Sequence, residues 1–284
     1  MKIIKYLLES LIIYFFFVII KLIGLNLSRK LFSYFFYLIG PYIKSKKIVE
    51  QNIRKISPEI EILELKKLIR NMWFNYGMTF VEYIYLHKFR KSNDHVQIKG
   101  EHILNNIREQ KKPVIFVSGH FANYELMSME IIKQKINLAT IYRPLNNIFL
   151  NPYMEFLRKK YVCGNQIKKG LGGVKDAIRY IEKNYSIALM IDQRLSEGEL
   201  VTFFNEAALT TTLPAQLAQK FNLDIVPVYI YRTNSNNFEI EFFEPIKINT
   251  RSDKIETTLK LNQILEKMIK KNPSQWILTH NRWK

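Results

Sequence analysis

The sequence predicts an α/β domain on a central, mostly parallel sheet flanked by helices, preceded by a hydrophobic helical segment that anchors it to a membrane. Two observations carry this expectation. After Asn93-Asp94, short runs rich in β-branched and apolar residues alternate with segments of helical period, the pattern of strands paired in parallel through crossover helices. Before Ile43, two nearly uncharged runs dense in bulky aromatics are bracketed by lysine and arginine, which suits helices in or against an anionic leaflet. The anchoring segment is expected over residues 1–45 and the α/β domain over 46–284.

The first apolar run, residues 10–20, follows Lys2, Lys5 and Glu9 and precedes Lys21. The second, 31–39, follows Arg29-Lys30 and meets Gly40-Pro41, expected to break the helix, before Lys44, Lys46 and Lys47. Neither run reaches the ~18–20 residues of a clean transmembrane helix. Counted over 3–25, with the lysines snorkelling at its ends, the first segment is long enough to span; a helical pair lying in the leaflet is the other arrangement. No Ala-x-Ala-like site follows, which argues against a cleavable signal peptide. The density of aromatics beside lysine clusters argues against two buried helices of a soluble core.

Residues 48–90 read as helical, with Ser57 as N-cap and Pro58 at the first helical position of one segment. Ile62, Leu65, Leu68, Ile69, Met72 and Trp73 keep the helical period there. Strands are expected at 113–117, 138–142, 186–191, 224–231 and 238–243. Helices are expected near 101–110, 123–135, 147–161, 172–184 and 213–221, with a last one from about Ser252 to Lys271. Several strands are continuously apolar, as strands buried on both faces are. Sites in such sheets gather at the carboxyl ends of strands, which directs attention to the loops after Val117, Tyr142 and Ile191.

Composition narrows the function. Aromatics at 13%, with only 10 Gly and 9 Pro in 284 residues, exclude a disordered chain. Forty-three Lys and Arg against 25 Asp and Glu leave a net charge of +18, which favours a polyanionic partner over mere compositional bias. The single cysteine, Cys163, forms no intramolecular disulfide and reads as a small buried residue of a protein in a reducing compartment. No Cys/His zinc spacing exists, and no metal or other cofactor is expected.

The chemistry concentrates after the 113–117 strand, in Ser118-Gly-His-Phe-Ala-Asn-Tyr-Glu-Leu-Met127. His120 and Glu125 are five residues apart, which on one continuous helix separates them by about 140°. They meet more readily if His120 lies in the strand-to-helix turn and Glu125 in the first helical turn, with Asn123 as N-cap and the helix dipole favouring the carboxylate. Glu125 is then expected to hold one ring nitrogen of His120 and leave the other as a base for an attacking hydroxyl. The pair alone is weak evidence; its place at a strand's carboxyl end, beside Gly119, raises its weight.

Gly-His-Phe-Ala-Asn-Tyr-Glu resembles the His-x4-(Asp/Glu) motif of the lysophospholipid acyltransferase superfamily, and within it the lipid A late acyltransferase family of lauroyl and myristoyl transferases. Three further blocks agree, in order: Ile141-Tyr-Arg-Pro144; Met190-Ile-Asp-Gln193 with Phe203-Phe204 and Thr210-Thr-Thr212; and the closing Gln275-Trp-Ile-Leu-Thr-His-Asn-Arg-Trp-Lys284. The sequence departs from the family pattern at Ala122 and Tyr124, where Gly and Trp are common, at Asn205-Glu206 and at Leu213-Pro214. The resemblance implies a glycerophosphate-acyltransferase-like fold and transfer of a fatty acyl chain from acyl carrier protein to a hydroxyl of a lipid A precursor, at the cytoplasmic face of the inner membrane. It implies His120 and Glu125 as catalytic residues, Arg143 on a phosphate, and Asn123, Asp192, Gln193 and Arg282 as further substrate-binding residues, with the anionic membrane as a partner.

Blander readings stand beside these residues. Arg143 could pair with a structural carboxylate, Asp192 and Gln193 could shape a loop, and Arg282 and Trp283 could be terminal packing. His87, His95 and His102 read as surface residues, and Gly170–Gly173 as a turn or helix start rather than a phosphate loop. The enzyme alternative is acylation of a lysophospholipid or another glycolipid. A nucleic-acid-binding protein is the alternative of another class; no helix-turn-helix, zinc finger or RNA-binding motif supports it, and no nucleic acid is expected as a partner. A metallohydrolase lacks the second histidine of the zinc helix.

Overall fold

A computed structural model describes residues 2–43, 46–233, 237–248 and 253–284. Met1, Lys44 and Ser252, named above as ends or flanks of segments, lie outside these residues.

The chain begins with α1 (Lys2–Ile23) and α2 (Leu25–Ile43), joined through Gly24 at φ +83°, a left-handed turn that glycine adopts without a Cβ clash. By length and composition α1 can cross a membrane. Leu7, Leu8, Leu11, Phe15 and Leu22 are exposed along it, while Ser10, Phe17 and Ile20 face the protein. Gly40-Pro41 does not break α2; Pro41 falls in its last turn. There the one hydrogen bond that proline removes is offset by packing. Gly40 lies so close to the indole of Trp73 that an added Cβ would come within 2.2 Å of it.

Next come α3 (Lys46–Ile56), α4 (Ile62–Ile84) and α5 (Leu86–Lys91). The expected cap at Ser57 is not formed. The Ser57 N–H closes α3 by donating to Ile53 O at 2.8 Å, and residues 57–60 make a turn before α4 starts. Pro58 disfavours the helical region for Ser57, so the pair ends one helix instead of opening another. Gly77 of α4 lies against the backbone of α2, where a Cβ would meet Phe32 O at 2.4 Å.

The α/β part runs β1 (Val96–Lys99), α6 (Glu101–Gln110), β2 (Ile115–Ser118), α7 (Glu125–Lys133), β3 (Leu138–Tyr142), α8 (Asn151–Leu157), β4 (Gln166–Lys168), α9 (Leu171–Glu182), β5 (Ser186–Met190), β6 (Glu199–Phe203), β7 (Glu206–Thr210), α10 (Leu213–Phe221), β8 (Ile225–Arg232), β9 (Phe238–Phe242) and α11 (Lys254–Lys271). Seven strands form one sheet in the order β1-β9-β8-β2-β5-β3-β4. It is parallel from β8 through β4, and only the β8–β9 pairing is antiparallel. The fold class read from the sequence is the one observed.

Three features escape the sequence pattern. β1 and β4 are edge strands of 4 and 3 residues, too short to show a period. The hairpin β6–β7 stands outside the main sheet, and Phe204 and Asn205 turn it at positive φ. The segment 147–161 is not one helix: α8 passes into a π-helical turn, Arg158–Val162. Cys163 is buried as expected, but His95 is buried too, its ring centroid 4.8 Å from that of Phe89 and its Nε2 3.3 Å from Glu130 Oε1.

Candidate active site

Parallel strands β2, β5 and β3 end side by side, and their carboxyl ends form the floor of a cavity of about 880 Å³, within the range of small-ligand sites. Met127, Ile141, Val162, Val174, Leu189 and Ile277 supply apolar wall. His120, two residues past β2, lines the cavity with its side chain 18% exposed.

Asp192, two residues past β5, governs the histidine. Its Oδ1 lies 2.7 Å from His120 Nδ1, while Oδ2 accepts the His120 backbone N–H and the Trp276 indole N–H, each at 2.8 Å. Burial on its own would raise the Asp192 carboxyl. The His120 imidazole, its two hydrogen bonds and the Trp276 donor outweigh that and hold it below the usual carboxylate range. An ionised carboxylate only accepts, so His120 carries its proton on Nδ1 and presents the Nε2 lone pair to the cavity.

The expected contact between Glu125 and His120 is therefore replaced. Glu125 opens α7 and lines the cavity, but its Oε1 accepts from Arg158 Nε and Nη2 at 2.7 Å and from Tyr83 OH at 3.0 Å. The ionic pair is buried: burial would lower the Arg158 guanidinium, and Glu125 overrides it and raises it. Tyr83 also bonds Tyr124 at 2.9 Å, and the Tyr124 ring packs edge-on to His120 at 4.6 Å. Burial first, then Glu125, pushes both phenols up, so they stay neutral donors. Glu125 thus reaches the histidine through Tyr83 and Tyr124.

Asn123 is neither an N-cap nor a cavity residue. It is fully buried, and its Nδ2 donates to Glu82 Oε2 at 3.1 Å. Glu82 also accepts from Arg29 Nε at 2.9 Å and from Arg232. This buried cluster ties α2, α4 and β8 to the loop carrying His120. Ala122 sits there at φ +42°, which is why glycine suits the position in the resembling family.

Arg143, just past β3, and Gln193 both line the cavity. Among the described residues, Arg143 has no carboxylate partner. Lys169 stands beside it, because β3 and β4 pair with Tyr142 opposite Lys168 and Lys169 N–H donates to Tyr142 O. Burial and then the neighbouring Arg143 charge lower the Lys169 ammonium, with the Glu197 carboxylate acting against them; an anion between Arg143 and Lys169 would relieve the repulsion. Arg282 is placed elsewhere: fully buried, it donates to Leu209 O at 2.9 Å and Thr210 Oγ1 at 2.7 Å and lies 4.8 Å over Phe203. Burial lowers its guanidinium to about 10. With Trp283, stacked on Phe203 at 5.4 Å, it fastens the hairpin β6–β7.

Sequence reasoning left out Arg158, Tyr83, Trp276, Lys169 and the contact between Asp192 and His120. Only Asp192 and Trp276 had a signal, as members of two of the ordered blocks. Tyr83 and Arg158 are brought to Glu125 by the crossing of α4, α7 and the π-helical turn, and Lys169 to Arg143 by the pairing of β3 with β4.

A family model described as bacterial lipid A biosynthesis acyltransferase matches residues 1–284. The lipid A biosynthesis palmitoleoyltransferase of Escherichia coli (strain K12) is 22% identical over 251 residues, covering 86% of this chain and 80% of that protein. A lipid A biosynthesis acyltransferase of Shigella flexneri gives the same identity and coverage. A second protein of that organism, lipid A biosynthesis acyltransferase 2, is 22% identical over 243 residues, 82% of this chain and 76% of its own length.

Proposed function

Because the chain belongs to the bacterial lipid A biosynthesis acyltransferase family, we propose that it transfers a fatty acyl chain from an acyl-carrier-protein thioester to a hydroxyl of a lipid A precursor, with His120 as general base. The observation that carries this reading is the His120 Nε2 lone pair, set by Asp192, at an apolar cavity also lined by the cations Arg143 and Lys169, neither of which forms an ion pair among the described residues. His120 takes the acceptor's proton as its oxygen attacks the thioester carbonyl, and the departing thiolate takes that proton back. Glu125 acts as a positioning residue through Arg158, Tyr83 and Tyr124. Arg143 binds a phosphate of the acceptor with its planar fork, and Gln193 lies within reach of the same sugar. The reaction so drawn uses no metal or organic cofactor.

The net charge of +18 suits both an acidic carrier protein and an anionic inner-membrane leaflet on the cytoplasmic side. The hydrogen bonds that tie Tyr6 O, Tyr14 OH and Ile20 O to the body of the protein along the length of α1 support an arrangement in which it lies in that leaflet rather than crossing it.

Purified, detergent-solubilised wild type and His120→Ala, offered acyl-carrier-protein thioesters and a phosphorylated disaccharide lipid A precursor, test this reading. Added acyl chains with wild type and none with the variant are expected. Transfer only to a lysophospholipid would overturn the substrate, and full turnover by His120→Ala would overturn the base.

A further inference from the structure

Two imidazoles line the cavity, and their fixed partners give them opposite polarity. His120 faces an acceptor at Nδ1 and offers a lone pair at Nε2. His280, in the closing segment, has its Nε2 3.0 Å from the backbone nitrogen of Arg194. An amide N–H only donates, so His280 Nε2 carries a lone pair and the neutral ring holds its hydrogen on Nδ1. No described residue bonds that Nδ1. Burial pushes the ring's pKa down to about 4, with the neighbouring His120, Arg282 and Arg143 charges adding to the shift against Asp192; the ring is neutral at physiological pH.

The segment is fixed relative to the base. Asn52 Nδ2 donates to His280 O at 2.7 Å, Thr279 Oγ1 bonds Tyr76 OH at 3.1 Å, and Trp276 donates to the same Asp192 that holds His120. Three of the loop's backbone amides are occupied: His120, Phe121 and Ala122 N–H donate to Asp192 Oδ2, Gly119 O and Gln275 O, and the Asn123 side-chain amide donates to Glu82. Thioester attack places negative charge on the carbonyl oxygen, and that charge needs a preorganised donor in a water-poor site.

We infer that His280 is a second catalytic imidazole, donating its Nδ1–H to the acyl carbonyl oxygen while His120 takes the proton of the attacking hydroxyl. This rests on the reaction proposed above. The new C–O bond forms as the carbonyl π pair moves onto oxygen, where His280 stabilises it. Return of that pair breaks the C–S bond, and the thiolate leaves with the proton that His120 holds. His280 keeps its own hydrogen throughout.

Two measurements on the full chain in detergent test the inference. With isotope-labelled histidine, two-bond proton–nitrogen correlation spectra are expected to show Nδ1 protonated and Nε2 bare for the signal that disappears in His280→Asn. In steady-state assays, His280→Ala is expected to lower kcat by ~10²–10³-fold, as for loss of one oxyanion donor, with both KM values little changed. His280→Asn, which keeps an N–H near the Nδ1 position, is expected to recover part of that loss. A proton on Nε2, or a kcat in His280→Ala within a few-fold of wild type, would overturn the inference alone. A lower melting temperature with equal losses in His280→Ala and His280→Asn would mark His280 as structural and overturn it as well. Absence of transfer by wild type would instead overturn the reaction it rests on.

Discussion

At the scale of single residues, the two carboxylates near His120 divide the work by where their neighbours lie. Asp192 holds the ring and the loop backbone together. Asp192→Asn keeps the shape but offers an N–H where His120 Nδ1–H needs an acceptor. It is expected to lower kcat by ~10²–10⁴-fold, in the range for a mis-set base, with little change in KM; steady-state kinetics check this. The same substitution bears on acid stability. The native carboxyl titrates below its unfolded value of ~3.9, so its contribution is complete above that pH and is lost as pH falls through the lower native value. Glu125 balances Arg158 in a site where both side chains are under 10% exposed, at 8% and 9%. Glu125→Ala strands a buried cation and is expected to cost ~3–5 kcal/mol of stability. In urea titrations the double variant Glu125→Ala/Arg158→Met should recover most of it, while transfer stays low in both.

At the scale of elements, α4 is the post on which the site is hung. Its Glu82 gathers Arg29, Arg232 and Asn123, its Tyr83 reaches Glu125, and its Gly77, with Gly40 of α2 against its Trp73, lets α2 come close. Gly77→Ala places a methyl 2.4 Å from Phe32 O, a backbone atom that cannot rotate away. The helices must part, at an expected cost of ~1–3 kcal/mol, seen as a lower thermal midpoint. Because Arg29 rides on α2 and bonds Glu82, the same change should loosen the His120 loop and lower turnover as well.

At the scale of the whole molecule, the exposed sides of α1 and α2 depart from a water-soluble surface. Leu8 is 57% and Leu11 56% exposed, and Phe15 beside them 62%. Leu8→Glu/Leu11→Glu leaves the inward Phe17 and Ile20 untouched. It is expected to abolish co-sedimentation with anionic phospholipid vesicles, yet keep transfer to detergent-dispersed acceptor near wild type. Retained vesicle binding would show that the leaflet is engaged elsewhere.

The strand–helix alternation, the apolar N-terminal helix and the candidate base His120 were all written locally. Each depends on a short window: strand composition, helical period, a histidine after an apolar run. The ordered blocks also carried the family. The continuation of α2 through Pro41 and the hairpin β6–β7 were not legible, because the packing of Trp73 and of Arg282 with Trp283 decided them; Ser57-Pro58 was read as opening a helix, although the restriction proline puts on the residue before it ends α3 there. The partner of His120 was decided by the sheet. Glu125 is five residues away in sequence, but α7 turns it toward Arg158, whereas β5 lies beside β2 and delivers Asp192 from 72 residues further along the chain. Sequence therefore determined the central strands and most helices, and singled out His120 as the candidate base. Tertiary structure alone decided what each charged side chain faces, because pairing across a parallel sheet sets neighbours by strand order and not by chain distance.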